Sequence, residues 1–130
     1  MATIKNKRAL KSRIIQLMRR LTWSWQPIRD AEHKAQVDKA TFECRTCKTY
    51  IYKGASEKSL SELQTKYKNK TVVMGTIFKD HIEPVIPIGK KTKDLTLDEI
   101  SDRMFCEEDG IQILCEICHN IKTNEEDSRR

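Results

Sequence analysis

Along the chain the apolar positions switch between a helical and an alternating period, and the switches divide it into elements. Ile14, Leu17, Met18 and Leu21 recur at i, i+3, i+4 and i+7. That spacing predicts an amphipathic helix over residues 5–21 with these side chains on its inner face. Thr22 to Gln26 read as a connector, and Pro27 is placed to open a second helix with Ile28, Ala31 and Ala35 as its small apolar face. Trp23 and Trp25 are both expected to pack these helices on the domain. Residues 41–50 surround a C-x-x-C with Thr and aromatics, the composition of a knuckle between short strands. Ser59-Leu60-Ser61-Glu62 has the pattern of a capping box, which predicts a helix over residues 59–68 with Leu60, Leu63 and Tyr67 inward. The β-branched run 71–78 predicts one strand, bent at Gly75, with Asp80 and His81 at its end. A lysine-rich flexible loop follows over 88–94. Thr96 to Glu99 form a second capping box, opening a helix through Leu97, Ile100 and Met104. Asp109-Gly110 is a turn, 111–114 alternate as a short strand, and a last helix runs from Cys115 to about residue 126.

This order predicts an α+β fold. We divide it into a basic helical arm (1–40), a domain (41–127) and a short tail (128–130). Apolar residues are 38% and charged residues 34% of the 130, a lean core that in a small domain calls for a structural metal. The net charge of +6 points to a polyanionic partner, and its placement says more than its size. Residues 1–22 hold seven bases and no acid, whereas residues 107–130 hold seven acids against Lys122, Arg129 and Arg130. An acid-free helix face is read as phosphate-contacting, through Lys11, Arg13, Arg19 and Arg20. No apolar run is long enough to span a membrane and residues 1–21 lack the apolar core of a secretory signal, so the expected location is the cytoplasm. His33, on a polar stretch, is given no role.

Four of the five cysteines form two C-x-x-C pairs, Cys44/Cys47 and Cys115/Cys118. Spacing by three turns two thiolates toward one cation, and two such pairs complete a tetrahedral four-thiolate shell that suits structural zinc in a reducing compartment. Cys106, among apolar neighbours, is read as a buried thiol rather than a ligand.

The remaining chemistry lies in Asp80-His81-Ile82-x-Pro84, Gln112-Ile113-Leu114-Cys115-x-x-Cys118-His119 and Lys122-Thr123. With Cys44-x-x-Cys47, and in this order, these segments resemble the HNH endonuclease family of ββα-metal nucleases, phage-encoded members in particular. The resemblance covers about residues 41–126. It implies a zinc-stabilised ββα fold, a catalytic Mg²⁺ or Mn²⁺ held by Asp80 and His119, and His81 as the base that activates water. Double-stranded DNA is the implied substrate, met by a monomer or homodimer, in the host cytoplasm if the chain is phage-encoded. Chemistry agrees with those roles, since phosphodiester hydrolysis needs a base, a Lewis acid and relief of charge on the departing oxygen. A histidine, with a reference pKa of about 6.5, is available as base near neutral pH. Consecutive residues of a strand point to opposite sides, so Asp80 and His81 reach one phosphate only if the strand twists or ends there. Lys122, one turn after His119, is a candidate phosphate contact.

One position departs from the family, whose middle Asn falls on Gly110. Glycine shares that residue's tolerance for left-handed backbone, so Gly110 is expected to keep the turn and its carbonyl while losing side-chain contacts. The expectation is a weakened site in which Gly110→Asn raises kcat. The alternative reading is a zinc-stabilised DNA-binding protein whose catalytic site has decayed, and a third is a ribonuclease of the same fold.

Overall fold

The computed structural model describes residues 6–130. Its first helix, α1 (Lys7–Leu21), is capped by the Asn6 side chain, which accepts from the Ala9 N–H; Lys5 lies outside the described residues. The helical period is as expected, but the buried stripe is shifted by one position. Ile15 is buried and Met18 packs beside it, against Leu95, Ile100 and Met104, while Leu17 and Leu21 are exposed. The helix carries more apolar residues than one face can hold, and its docking partner selects the stripe.

A single 3-10 turn (Thr22–Ser24) leads to α2 (Gln26–Ala35), with Pro27 in its first turn and Ile28 and Ala31 buried. The two tryptophans differ. Trp25 meets Phe105 edge-on and donates its indole N–H to the Cys106 carbonyl at 2.9 Å. Trp23 is 78% exposed, contrary to expectation, because the 3-10 turn points it away from the domain.

Strands β1 (Gln36–Asp38), β2 (Thr41–Glu43) and β3 (Tyr50–Tyr52) follow as an antiparallel meander, with the Cys44-x-x-Cys47 knuckle between β2 and β3. The next helix, α3 (Glu57–Lys66), begins earlier than its sequence pattern indicates. Ser56 accepts the Ser59 N–H and so takes the cap that the pattern gives to Ser59. Its inner face, Leu60, Leu63 and Tyr67, is as expected. The Tyr67 hydroxyl and the Lys66 ammonium both donate to Asp38 at 2.7 Å, hold that carboxyl well below its ordinary range, and tie α3 to β1.

The β-branched run is not one bent strand. It forms β4 (Val72–Met74), parallel to β3, and β5 (Ile77–His81), which leaves that sheet altogether. The break falls at Gly75-Thr76, where the chain crosses from one sheet to the other. The second sheet is an antiparallel pair of β5 with β6 (Ile111–Cys115), in the register Phe78↔Leu114, Asp80↔Gln112 and His81↔Ile111. Between them lies α4 (Leu97–Met104), opened by the Thr96/Glu99 capping box as its sequence indicates. The last helix, α5 (Glu116–Ser128), leaves β6 directly, and the Cys115 thiol accepts the Cys118 N–H at its start.

Strand alternation gives the hairpin two faces. Ile111 packs on Ile28 and Ala31 of α2, and Lys79 reaches Glu32 of that helix at 2.9 Å. The other face carries Phe78 and Asp80, which meet α5. The hairpin is thus held between α2 and α5, and the mixed α+β architecture presents β5, β6 and α5 as one unit. Among the described residues no helix is long and apolar enough to cross a membrane.

Candidate functional site

The two C-x-x-C pairs, 68 or more residues apart, come together. The sulfurs of Cys44, Cys47, Cys115 and Cys118 all lie within 4.8 Å of one another, with Cys47 and Cys115 at 3.7 Å. A tetrahedron with metal–sulfur bonds of about 2.3 Å sets its sulfurs about 3.8 Å apart, so the four thiols could hold a metal ion such as zinc. Local backbone explains how each pair forms. Lys48 N–H returns to the Cys44 carbonyl at 2.9 Å, with Lys48 itself in the left-handed region at φ 63°, which curls the knuckle around its thiols. Cys115 is the N-cap of α5, which turns Cys118 back toward it. Arg45 N–H donates to the Ile113 carbonyl at 2.9 Å, stitching the knuckle to β6.

Crowding sets the chemistry of these thiols. Burial and three neighbouring sulfurs push Cys118 far above its ordinary range, and burial with the Cys47 and Cys44 thiols raises Cys115 against the hydrogen bonds from Cys118. Cys47 is pushed up by burial but held down more strongly by hydrogen bonds from Thr49 and the adjacent thiols, to about 6. A cation bound there would favour the thiolate forms that crowding disfavours at Cys115 and Cys118. Cys106 stands apart and is half-buried rather than buried as expected; burial still pushes its thiol up.

At the other end of the hairpin His81 Nε2 lies 2.7 Å from the Met104 carbonyl oxygen. A carbonyl only accepts, so Nε2 carries a proton, and in the neutral ring Nδ1 is left with the lone pair. The ring lines a cleft of about 390 Å³ together with Asp102, Arg103 and Asp109. Arg103 does not close that cleft, because its guanidinium donates to the Pro84 and Val85 carbonyls.

Asp80 faces the opposite way, toward α5. Its Oδ2 accepts from Gln112 Nε2 at 2.9 Å and from Lys122 Nζ at 2.9 Å. The same ammonium also meets Glu126 at 2.6 Å and the His81 carbonyl at 2.9 Å. Burial opposes that charge, but the two carboxylates outweigh it and raise the Lys122 pKa, so the ammonium is held charged across the neutral range. Sequence reasoning missed both as partners of Asp80. Gln112 is visible only through the strand register, and Lys122 reads from its spacing as a phosphate contact.

His119 sits one helical turn before Lys122, on the face of the hairpin that carries Asp80. Its ring stacks on Phe78 at 4.3 Å and 8°, and its Nδ1 is buried without a partner. An orphaned buried imidazole nitrogen suits a ligand, and a carboxylate with an imidazole is a suitable donor pair for a divalent ion. In the structure the Asp80 carboxylate meets Lys122 and Gln112, and the His119 ring meets Phe78. The four cysteines are the only group of three or more Cys, His, Asp or Glu side chains that converges among the described residues.

Gly110 corrects the backbone expectation. It ends a 3-10 turn (Glu108–Gly110), and Gly89 is the only described glycine with positive φ. Its carbonyl accepts the Ile82 N–H at 2.9 Å, while the His81 ring is held by Met104 instead. A side chain here would put its Cβ 3.0 Å from Cys106 Sγ. Gly110→Asn therefore needs the Cys106 side chain to give by a few tenths of an ångström, and the gain in kcat expected from the sequence depends on that adjustment.

Of the basic residues assigned to the arm, Arg13, Arg19 and Arg20 are not buried, but Lys11 is engaged, donating to the Thr92 and Leu95 carbonyls.

Loss of one thiol tests the cluster. Cys115→Ser, which leaves three sulfurs, is expected to lower bound zinc from one ion per chain to well below one in native mass spectrometry. Cooperative thermal melting should be lost with it, since zinc sites of this kind contribute on the order of 10 kcal/mol or more. Cys106→Ser should retain both. No family model, curated protein or solved structure matches the chain, and the site is therefore interpreted from its own residues.

Proposed function

We propose that this chain is an HNH-type ββα endonuclease that hydrolyses phosphodiester bonds of double-stranded DNA, with a structural zinc in the four-cysteine cluster. The observation that carries the reading is His81. A histidine at the end of β5, lining a cleft and with Nε2–H committed to a main-chain carbonyl, has Nδ1 as its remaining acceptor when the ring is neutral. That is the arrangement a general base needs, since the second nitrogen's bond sets the tautomer and the ring's aim. In this reading His81 takes the proton of the attacking water. Asp80 and His119 would hold Mg²⁺ or Mn²⁺, which supplies charge stabilisation at the phosphate when bound. Because Asp80 and His81 look to opposite faces of β5, the reading requires the strand end to turn so that both reach one phosphate. Gln112 orients the Asp80 carboxylate.

Lys122 favours the second reading, a DNA-binding protein with a weakened site. Its ammonium already neutralises the carboxylate that the ion would need. The two readings differ in what happens when divalent ions compete with that ammonium.

Supercoiled plasmid separates them. With Mg²⁺ or Mn²⁺, wild type is expected to nick it and His81→Ala to lose about 10²–10⁴-fold in rate, the usual loss for a general base. Equal rates would end the enzyme reading. Lys122→Met frees Asp80 and is expected to lower the half-saturating Mg²⁺ concentration severalfold. An unchanged or raised requirement would mean that Lys122 does not compete with the ion.

A further inference from the structure

The proposed chemistry leaves unused a dense concentration of positive charge. Two adjoining hollows, of about 710 and 530 Å³, run between α1 and the turn that follows Gly89, and share Lys91 and Thr92. The first is lined by Lys7, Arg8, Lys11 and Lys93, and the second by Arg19, Lys90 and Arg130. No Asp or Glu side chain lines either one.

Elsewhere Lys34, Lys53, Lys66, Lys70, Lys79 and Lys122 each have an acid within 4 Å. None of the trough's cations has such a partner among the described residues. The acid of the turn, Asp94, is committed to the Lys91 backbone N–H at 2.8 Å. Eight cations are gathered here, and the one carboxylate of the turn, that of Asp94, balances only a small part of their charge.

The trough is also held in shape. Lys11 donates to the Thr92 and Leu95 carbonyls and so rivets the turn to α1, and Arg130 donates to the Ile86 carbonyl at 2.9 Å. Within the segment 88–94, expected as a lysine-rich loop, Thr92–Asp94 form a short 3-10 turn held by Lys11.

We infer that this trough is a track for the phosphate backbone of duplex DNA. The choice of DNA rests on the nuclease reading, but the geometry favours a duplex on its own account. From Lys7 to Arg19 the helix runs about 18 Å, the axial advance of about five phosphates along one strand at about 3.4 Å each. No aromatic lines the trough, so it lacks the stacking platform that single strands need. Contacts of this kind position a duplex without reading its sequence. The track is also joined to the site through the chain. The loop that carries Lys90–Lys93 continues from His81 through Pro84, and α5 connects His119 to the Arg130 end over about 14 Å.

Fluorescence anisotropy on a labelled 25-base-pair duplex tests this in a His81→Ala background, where binding is measured without cutting. The double variant Lys91→Glu/Lys93→Glu is expected to bind at least tenfold more weakly, on duplexes of unrelated sequence alike. The slope of log affinity against log salt should fall by about 0.9 for each phosphate no longer neutralised. Lys58→Glu, on exposed α3, should bind as the parent does. Parental binding by the trough variant, or an equal weakening with Lys58→Glu, overturns the inference. Tighter binding of single-stranded DNA or of RNA than of the duplex overturns the choice of partner. If trough binding holds while plasmid is never cut, the track stands and the hydrolytic reading fails.

Discussion

The constraint on which this structure depends is the meeting of four thiols contributed from opposite ends of the domain. Cys44 and Cys47 close the turn between β2 and β3, whereas Cys115 and Cys118 sit where β6 becomes α5. The hairpin has only two strands, a form that is marginal by itself in water. It persists because one end is stitched to the knuckle and its faces are covered by α2 and α5. The thiol cluster also sets the direction in which α5 leaves, and hence where His119 and Lys122 lie. A metal held there would fix the candidate active site without touching it.

The same alternation that builds the hairpin divides its chemistry. Asp80 and His81 are neighbours in sequence yet look to opposite faces, one to α5 and the other to the α4 terminus. Main-chain carbonyls connect them: that of Met104 holds the His81 ring, and that of His81 holds Lys122. The site is a small network in which one ammonium satisfies two carboxylates and a carbonyl. Removing that ammonium would leave part-buried negative charge, which is why a cation of some kind is expected at this position.

How much of this is legible in the sequence depends on whether the signal is local. The C-x-x-C pairs, the Thr96 capping box and the short strand 111–114, which extends one residue further in the structure, follow from chemistry within a few residues. The differences are tertiary in origin. Ile15 rather than Ile14 and Leu17 faces inward because α4 selects among apolar residues that are equivalent in the sequence. Ser56 and Ser59 can both cap a helix, and only packing decides between them. The break at Gly75-Thr76 turns on sheet pairing between residues far apart. At the site, Asp80 and His81 are legible as chemistry. Their partners Gln112, Lys122 and the Met104 carbonyl depend on register and docking, which no motif states.

Amide hydrogen exchange tests the central dependence most directly, comparing the chain with zinc bound and after a chelator has withdrawn it. Residues of β2, β5 and β6 are expected to be protected together with zinc and to lose that protection together without it. A β5–β6 hairpin that stays protected after the metal is gone would contradict the account, because the hairpin would then stand without the cluster.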